Sequence, residues 1–156
     1  TYQILTKRPE NIQSRLPYDW GKGYPNVWLG VSVETPMYHW RIIELSDIPT
    51  VIRFVSYEPA LAAVDFAPSL AAGWINWIIS GGESGYNPRP ADLSWFRQVR
   101  DDCQKFRVAY FHKQHGSSRK IDGTWGGRLL DGREHNEFPE VAVPVATSQP
   151  AQERLL

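Results

Sequence analysis

The stretch Asn26-Val27-Trp28-Leu29-Gly30-Val31-Ser32-Val33-Glu34 is an apolar run that ends in a small residue followed, two positions later, by a glutamate. The same ending recurs in Val55-Ser56-Tyr57-Glu58-Pro59 and in Ile79-Ser80-Gly81-Gly82-Glu83-Ser84. The three glutamates stand 24 and 25 residues apart, which is close to the length of one β/α unit. The repeat therefore predicts parallel strands that each present a carboxylate at the carboxyl end.

Five runs dense in Val, Ile, Trp, Phe and Tyr lack polar alternation, which is typical of strands covered on both faces. Segments with helical spacing lie between them, so strands and helices alternate along the chain. The clearest helix is 93–106, where apolar residues fall on one face and charged residues off it. The pattern predicts an α/β fold, a parallel TIM-like partial barrel, with strands at 2–6, 27–33, 51–55, 74–79 and 108–111 and helices at 11–16, 37–45 and 93–106.

The two ends of the sequence predict how the domain is bounded. Thr1 is not an initiator methionine and a strand-like run begins at Tyr2, so we expect the chain to start inside a larger fold. Residues 1–140 are predicted to form the C-terminal part of a barrel domain, with a mobile loop at 116–132 that turns at Asp131-Gly132. The Pro-containing residues 141–156 are predicted to be a flexible tail.

Composition limits the partners that the chain can be expected to bind. Seventeen Lys and Arg balance seventeen Asp and Glu, so net charge does not indicate nucleic acid, although a local basic patch would still allow it. The single cysteine, Cys103, excludes an intrachain disulfide and a cluster of cysteine ligands within the chain. No apolar run reaches the length of a membrane span and no signal peptide is recognised, which predicts a cytoplasmic protein with no membrane partner.

The strand ends are the predicted ligand-binding side. Because side chains alternate along a strand, each small residue and its glutamate share one side, and barrel ligands bind at the carboxyl ends of strands. The alternative is that each glutamate caps a helix or pairs on the rim with one of four cations: Arg8, Arg53, Arg89 or Lys113. We predict these ligand-binding candidates: Glu34, Glu58, Glu83, Gly81, Gly82, Ser32, Ser56, Lys113, Gln114 and Arg8.

Clustered carboxylates suit a few chemistries: holding a hard metal, binding an ammonium group and ribose hydroxyls, or acting as an acid and base pair. Lys113 and Arg8 would meet a carboxylate or phosphate of the ligand, and Gly81-Gly82 would let the backbone approach it. His112 and His115 lack the spacing of a zinc pair and are expected at the surface or behind the site. We therefore predict no metal site within the chain.

Several motifs together resemble a phage protein family, the one named for gene products thirty-seven and sixty-eight. They are Thr6-Lys7-Arg8-Pro9, the three strand-end stretches quoted above, Phe111-His112-Lys113-Gln114 and Gly127-Arg128-Leu129-Leu130-Asp131-Gly132. The resemblance runs from about residue 1 to 140. Complete members resemble radical S-adenosylmethionine enzymes with a three-cysteine motif for a [4Fe–4S] cluster, and the resemblance here starts beyond those cysteines.

The resemblance implies a first hypothesis, in which the chain supplies the substrate and nucleoside side of a radical S-adenosylmethionine-like enzyme and is inactive alone. The cofactors S-adenosylmethionine and [4Fe–4S] are then expected in the full-length parent, and none in this chain. The alternatives are a barrel glycoside hydrolase fragment using Glu58 and Glu83, and a non-catalytic phage-derived binding module. Open sheet edges at 2–6 and 108–111 predict self-association.

Overall fold

The computed structural model describes residues 1–141. A five-stranded sheet forms the centre, with β1 (Tyr2–Thr6), β2 (Val27–Ser32), β3 (Arg53–Tyr57), β4 (Trp77–Gly81) and β5 (Ala109–Gln114). The strands are all parallel and lie in the order of the sequence, β1 to β5. The predicted α/β fold with a parallel sheet is confirmed. Among the described residues β1 and β5 are edges, so the sheet is open and a closed barrel is not formed.

Three α-helices follow strands in the sequence. They are α1 (Trp40–Ser46), α2 (Ala67–Ala71) and α3 (Leu93–Phe106), and short 3-10 helices occupy Pro9–Asn11, Gln13–Arg15 and Pro36–Tyr38. The bounds predicted for α3 are confirmed, because Asp92 caps its amino end by accepting from the Ser94 amide at 2.8 Å, and Arg107 ends it in a left-handed conformation. The helix predicted at 11–16 is 3-10 instead of α.

Two apolar clusters cover the two faces of the sheet. The larger one joins strand residues such as Val31, Val55 and Ile78 to the buried faces of the helices. The smaller one is aromatic, contains no residue of α1–α3 among the described residues, and is built on Trp28, Phe54 and Trp77. We call the side of the sheet that bears these rings and Phe111 the aromatic face. The helices therefore lie on one face, and the strand-end candidates emerge beside the other.

Strands β3 and β4 begin two or three residues later than predicted, at Arg53 and Trp77. The apolar residues before them, such as Ile52 and Ile75, are buried although they lie in the preceding turns. Some of the apolar residues that the pattern assigned to strands thus lie in the segments just before them, at the amino-terminal end of the sheet.

The two sheet edges are protected differently. Residues 135–137 run antiparallel along β5, with the His112 amide donating to the His135 carbonyl at 2.9 Å and the Glu137 amide to the Tyr110 carbonyl at 3.1 Å. The edge predicted to be open at 108–111 is therefore covered in part. By contrast, the first four residues of β1 are exposed, and the apolar Ile4 retains 52 % of its accessible surface.

The segment after β5 has more structure than the predicted loop. Strands β6 (Lys120–Ile121) and β7 (Thr124–Trp125) form a hairpin across Asp122-Gly123, both of which have positive φ. The predicted turn at Asp131-Gly132 is confirmed by positive φ at both residues and by the Leu130–Arg133 bridge. Except for Val141, the predicted flexible tail at 141–156 lies outside the described residues.

Within residues 1–141, no helix is both long and apolar enough to cross a membrane.

Candidate functional site

Two serines and two glutamates lie side by side at the ends of β2 and β3. Ser32 is the register partner of Ser56, and the same alternation places Glu34 beside Glu58 two residues further on. Gly30 and Phe54 lie two residues before the two serines, so they point to the same side of the sheet. The serines and glutamates therefore lie on the aromatic face, at its carboxyl-terminal edge. Both serines are buried, with 3 % and 6 % of their surface exposed. The predicted pairing of small residue and carboxylate on one side is present at both strands.

The carboxylate of Glu58 crosses β4 to reach Lys113 at the end of β5. Lys113 Nζ lies 2.8 Å from Glu58 Oε1, and the two side chains are 54 % and 22 % exposed. A Cβ built on Gly81, in the strand between them, would lie 3.2 Å from the Glu58 carboxyl carbon. The absence of a side chain at Gly81 thus makes room for this ion pair, and that contact within the chain accounts for the glycine.

Glu34 is the most buried of the three predicted carboxylates. It accepts from Arg41 of α1, whose Nη1 lies 3.1 Å from Oε2, and it pairs with Lys7, whose Nζ lies 2.5 Å from Oε1. The Arg41 guanidinium also donates to the Ser32 carbonyl at 2.8 Å. Sequence analysis missed both cations. Its choice of Arg8 is not supported by the contacts, because Arg8 turns away to Glu10 at 3.1 Å.

Glu83 lies apart from the other two glutamates, in an ion pair on the rim. Arg89 donates to both of its oxygens, with Nη2 to Oε1 at 2.6 Å and Nε to Oε2 at 2.8 Å. These hydrogen bonds, together with one from the Arg89 amide, lower the pKa of Glu83 to about 2. Of the two interpretations weighed from the sequence, pairing with Arg89 on the rim describes this residue.

Each predicted carboxylate therefore has its own cation. Among residues 1–141 no group of three or more His, Cys, Asp and Glu side chains is arranged to hold a metal ion. The strand ends carry two negative groups flanked by two positive ones: Lys7 follows β1, Glu34 and Glu58 follow β2 and β3, and Lys113 lies in β5.

Gly82 and Gln114 hold the ends of β4 and β5 together. The Gly82 amide donates to the Gln114 carbonyl at 3.0 Å, and Gln114 Nε2 donates to the Gly82 carbonyl at 3.3 Å. A Cβ on Gly82 would lie 1.8 Å from the His115 carbonyl oxygen, so only glycine allows the two backbones to approach this closely. Both residues thus support the site structurally, and their predicted ligand contact stays a prediction.

A buried polar chain lies on the helix side of the same strand ends. Ser80 Oγ lies 2.7 Å from the Tyr110 hydroxyl and 2.8 Å from His112 Nδ1, and His112 Nε2 lies 3.0 Å from His115 Nδ1. His112 is fully buried, so of the two positions expected for it, at the surface or behind the site, the structure shows the second. Burial, followed by the charges of His115, His135 and Arg128, lowers the pKa of His112 to about 3. Because side chains alternate along a strand, and Phe111 points to the aromatic face, the sequence could have indicated that His112 points to the helices.

The residues present do not fit an iron–sulfur cluster. Cys103 is the only cysteine of the chain, it is fully buried on α3, and burial raises the pKa of its thiol. Cluster ligation needs several thiolates, so no step that involves a cluster is assigned to these residues.

These features define an α/β domain with five sequential parallel strands, whose carboxyl ends carry a layer of paired charges above an aromatic face. The sequence model of a family described as "Protein of unknown function (DUF5131)" matches residues 1–139, and the chain belongs to this family. No curated protein and no solved structure matches the chain.

Proposed function

We propose that the chain provides the substrate and nucleoside side of a phage-type radical S-adenosylmethionine-like enzyme, and that its strand ends bind the zwitterionic amino acid end of S-adenosylmethionine. The observation that carries the proposal is the order of charges across the carboxyl ends of β1, β2, β3 and β5, which is Lys7, Glu34, Glu58 and Lys113. An ammonium group suits the two central carboxylates, and a ligand carboxylate suits an outer lysine.

Ser32 and Ser56 support the same assignment. The Ser32 and Ser56 hydroxyls lie below the two central carboxylates and can each donate one hydrogen bond and accept others. Ribose hydroxyls offer matching groups. Lys7 takes the place that the sequence hypothesis gave to Arg8, because it is 61 % exposed at the layer while its amine is already oriented by Glu34. The cluster and the residues that hold it would come from outside this chain, which is inactive alone.

The two other hypotheses fit the contacts less well. A glycoside hydrolase that uses Glu58 and Glu83 needs one of them as a protonated acid, whereas both are held in ion pairs, Glu58 with Lys113 and Glu83 with Arg89. A non-catalytic phage-derived binding module would rely on the basic side chains that follow β5, and one of them, Arg128, lies 3.7 Å from Glu134 in an ion pair.

Calorimetric titration of the 156-residue chain with S-adenosylmethionine, and separately with methionine, tests the proposal. We expect both to bind, because they share the zwitterionic end. Glu58→Gln should weaken both by roughly tenfold or more, since a lost charged hydrogen bond is worth about 1.5–3 kcal/mol. Glu83→Gln is the matched control and should leave binding unchanged. A chain that binds neither compound, or equal losses in the two variants, would refute the proposal.

A further inference from the structure

Five polar groups on the helix side of β4 and β5 form one continuous hydrogen-bonded chain. It runs from the Phe96 carbonyl of α3 to the Tyr110 hydroxyl at 3.2 Å, then to Ser80 Oγ at 2.7 Å and His112 Nδ1 at 2.8 Å. From His112 Nε2 it continues to His115 Nδ1 at 3.0 Å. Ser80 and His112 are fully buried, so every proton in the chain needs an acceptor within it.

The number of protons fixes their directions. When His115 is uncharged, its Nδ1 can accept from His112 Nε2–H, which leaves His112 Nδ1 as an acceptor. The single proton of Ser80 then goes to His112 Nδ1, and the hydroxyl of Tyr110 donates to Ser80 or to the Phe96 carbonyl. All donors are satisfied, and His112 is the Nε2–H tautomer.

A second arrangement is complete as well. When His115 is charged, its Nδ1–H donates to His112 Nε2, and His112 must then carry its own proton on Nδ1 and donate it to Ser80. Ser80 turns its proton to the Tyr110 oxygen, and Tyr110 donates to the Phe96 carbonyl, which acts as the terminal acceptor. The first arrangement fills three of the four contacts and the second fills all four, so protonation of His115 costs the chain no hydrogen bond.

The surroundings place the added charge on His115. His115 is half-buried, whereas His112 is fully buried and faces the further charges of Arg128 and His135. Around His115, Arg97 of α3 opposes a positive charge and a hydrogen bond to the backbone of Leu129 favours it, while burial lowers its pKa. Placing the charge on His115 keeps it nearest to water and away from the helix-side core.

We propose that Ser80, Tyr110, His112 and His115 form a tautomer relay, in which His115 takes up a proton and His112 changes from the Nε2–H to the Nδ1–H form without the loss of a hydrogen bond. The relay adjoins the strand-end layer, because His112 precedes Lys113 in β5 and the His115 carbonyl packs against Gly82. His112 and Ser80 act as positioning residues that hold the ends of β4 and β5 in one geometry in both charge states. The relay does not depend on which ligand the layer binds.

Nuclear magnetic resonance of the 15N-histidine-labelled chain tests the relay, since long-range couplings identify which ring nitrogen carries the proton. Over a pH titration we expect His112 to exchange Nε2–H for Nδ1–H with the same midpoint as the protonation of His115, and never to carry both protons in that range. A single unchanging tautomer, a doubly protonated His112, or a His115 that stays uncharged until the protein unfolds would overturn the proposal.

Ser80→Ala removes the acceptor on which the second arrangement depends. We expect His112 to keep its Nε2–H form in this variant, and the His115 midpoint to fall by about one pH unit, a tenfold loss of proton affinity. Ser56→Ala is the matched control, because it deletes a hydroxyl of the aromatic face outside the relay, and it should leave both quantities unchanged. An unchanged His115 midpoint in folded Ser80→Ala would count against the relay. If that variant does not fold, the pH titration of the parent chain described above tests the relay by itself.

Discussion

Replacing each of the three strand-end glutamates by glutamine should destabilise the protein to different degrees. The side chain of Glu34 is 6 % exposed and that of its partner Arg41 is 10 % exposed, so this pair lies out of water. Glu58 and Lys113 are 22 % and 54 % exposed, and their attraction is screened. The change from carboxylate to amide is the same in each case, and only the surroundings differ.

The burial of each pair sets the magnitude of the loss. Removing one partner of a buried ion pair costs about 3–5 kcal/mol because the other charge stays buried without compensation. Glutamine still offers one acceptor to Arg41, so we expect about 3 kcal/mol for Glu34→Gln. At roughly 2–4 °C per kcal/mol in a domain of this size, that is a fall in Tm of about 6–12 °C. For Glu58→Gln the expected loss is about 0.2–1 kcal/mol.

Thermal unfolding of the parent and the three variants, followed by circular dichroism, measures this order. Glu83→Gln, at the exposed pair with Arg89, should also lose less than Glu34→Gln. Three carboxylates converging in one cleft would instead respond to loss of charge with an unchanged or raised Tm. A Glu34→Gln variant as stable as the parent, or one no less stable than Glu58→Gln, would show that the pairing with Arg41 does not hold in solution.

Three further predictions follow from other contacts. Gly82→Ala should lower the free energy of unfolding measured in urea by about 3 kcal/mol or more, because the new Cβ would lie 1.8 Å from the His115 carbonyl oxygen. Gly81→Ala should lower it less, because the new Cβ would meet only the flexible Glu58 side chain. Equal losses in the two variants would contradict the close approach at Gly82. The pKa of His112 lies at about 3, below the ordinary 6.5, so on acidification the unfolded chain binds this proton before the folded protein does. The free energy of unfolding should therefore fall by about 1.4 kcal/mol per pH unit as the pH drops from about 6.5 towards 3. His112→Gln should flatten that slope, and an equally steep slope in the variant would exclude His112 as its source. Light scattering should show self-association through β1 that Ile4→Lys abolishes, and a parent chain that stays monomeric at tens of micromolar would argue against an open edge.

The fold was predictable from the sequence where one strong pattern acts alone. Strands buried on both faces are continuous apolar runs, and α3 combines an Asp92 cap with a stripe of apolar residues. The hairpin at Asp122-Gly123 was missed although this dipeptide is a strong turn signal, because the flanking strands have only two residues each and Gly, Arg and Lys dominate the composition.

The site was predictable at the level of backbone positions and not at the level of side-chain contacts. The spacing of 24 and 25 residues correctly indicated which strand ends lie side by side. It could not indicate that Lys7 and not Arg8 reaches Glu34, since a long side chain finds its partner only after the helices have packed. Arg41 illustrates the same limit, because it comes from the helix after β2 and turns back over the end of its own strand.

The aromatic face also gives the protein an optical signature. Trp28 and Trp77 are 7 % and 2 % exposed and meet edge to face with ring centroids 6.0 Å apart, and Phe138 lies 4.9 Å from Trp77. Indoles shielded from water emit at shorter wavelengths than exposed ones, and two indoles this close couple electronically in the ultraviolet. A molecule that displaced Phe138 from Trp77 would therefore shift the tryptophan fluorescence. Binding on this side of the sheet can thus be followed by fluorescence without an added label.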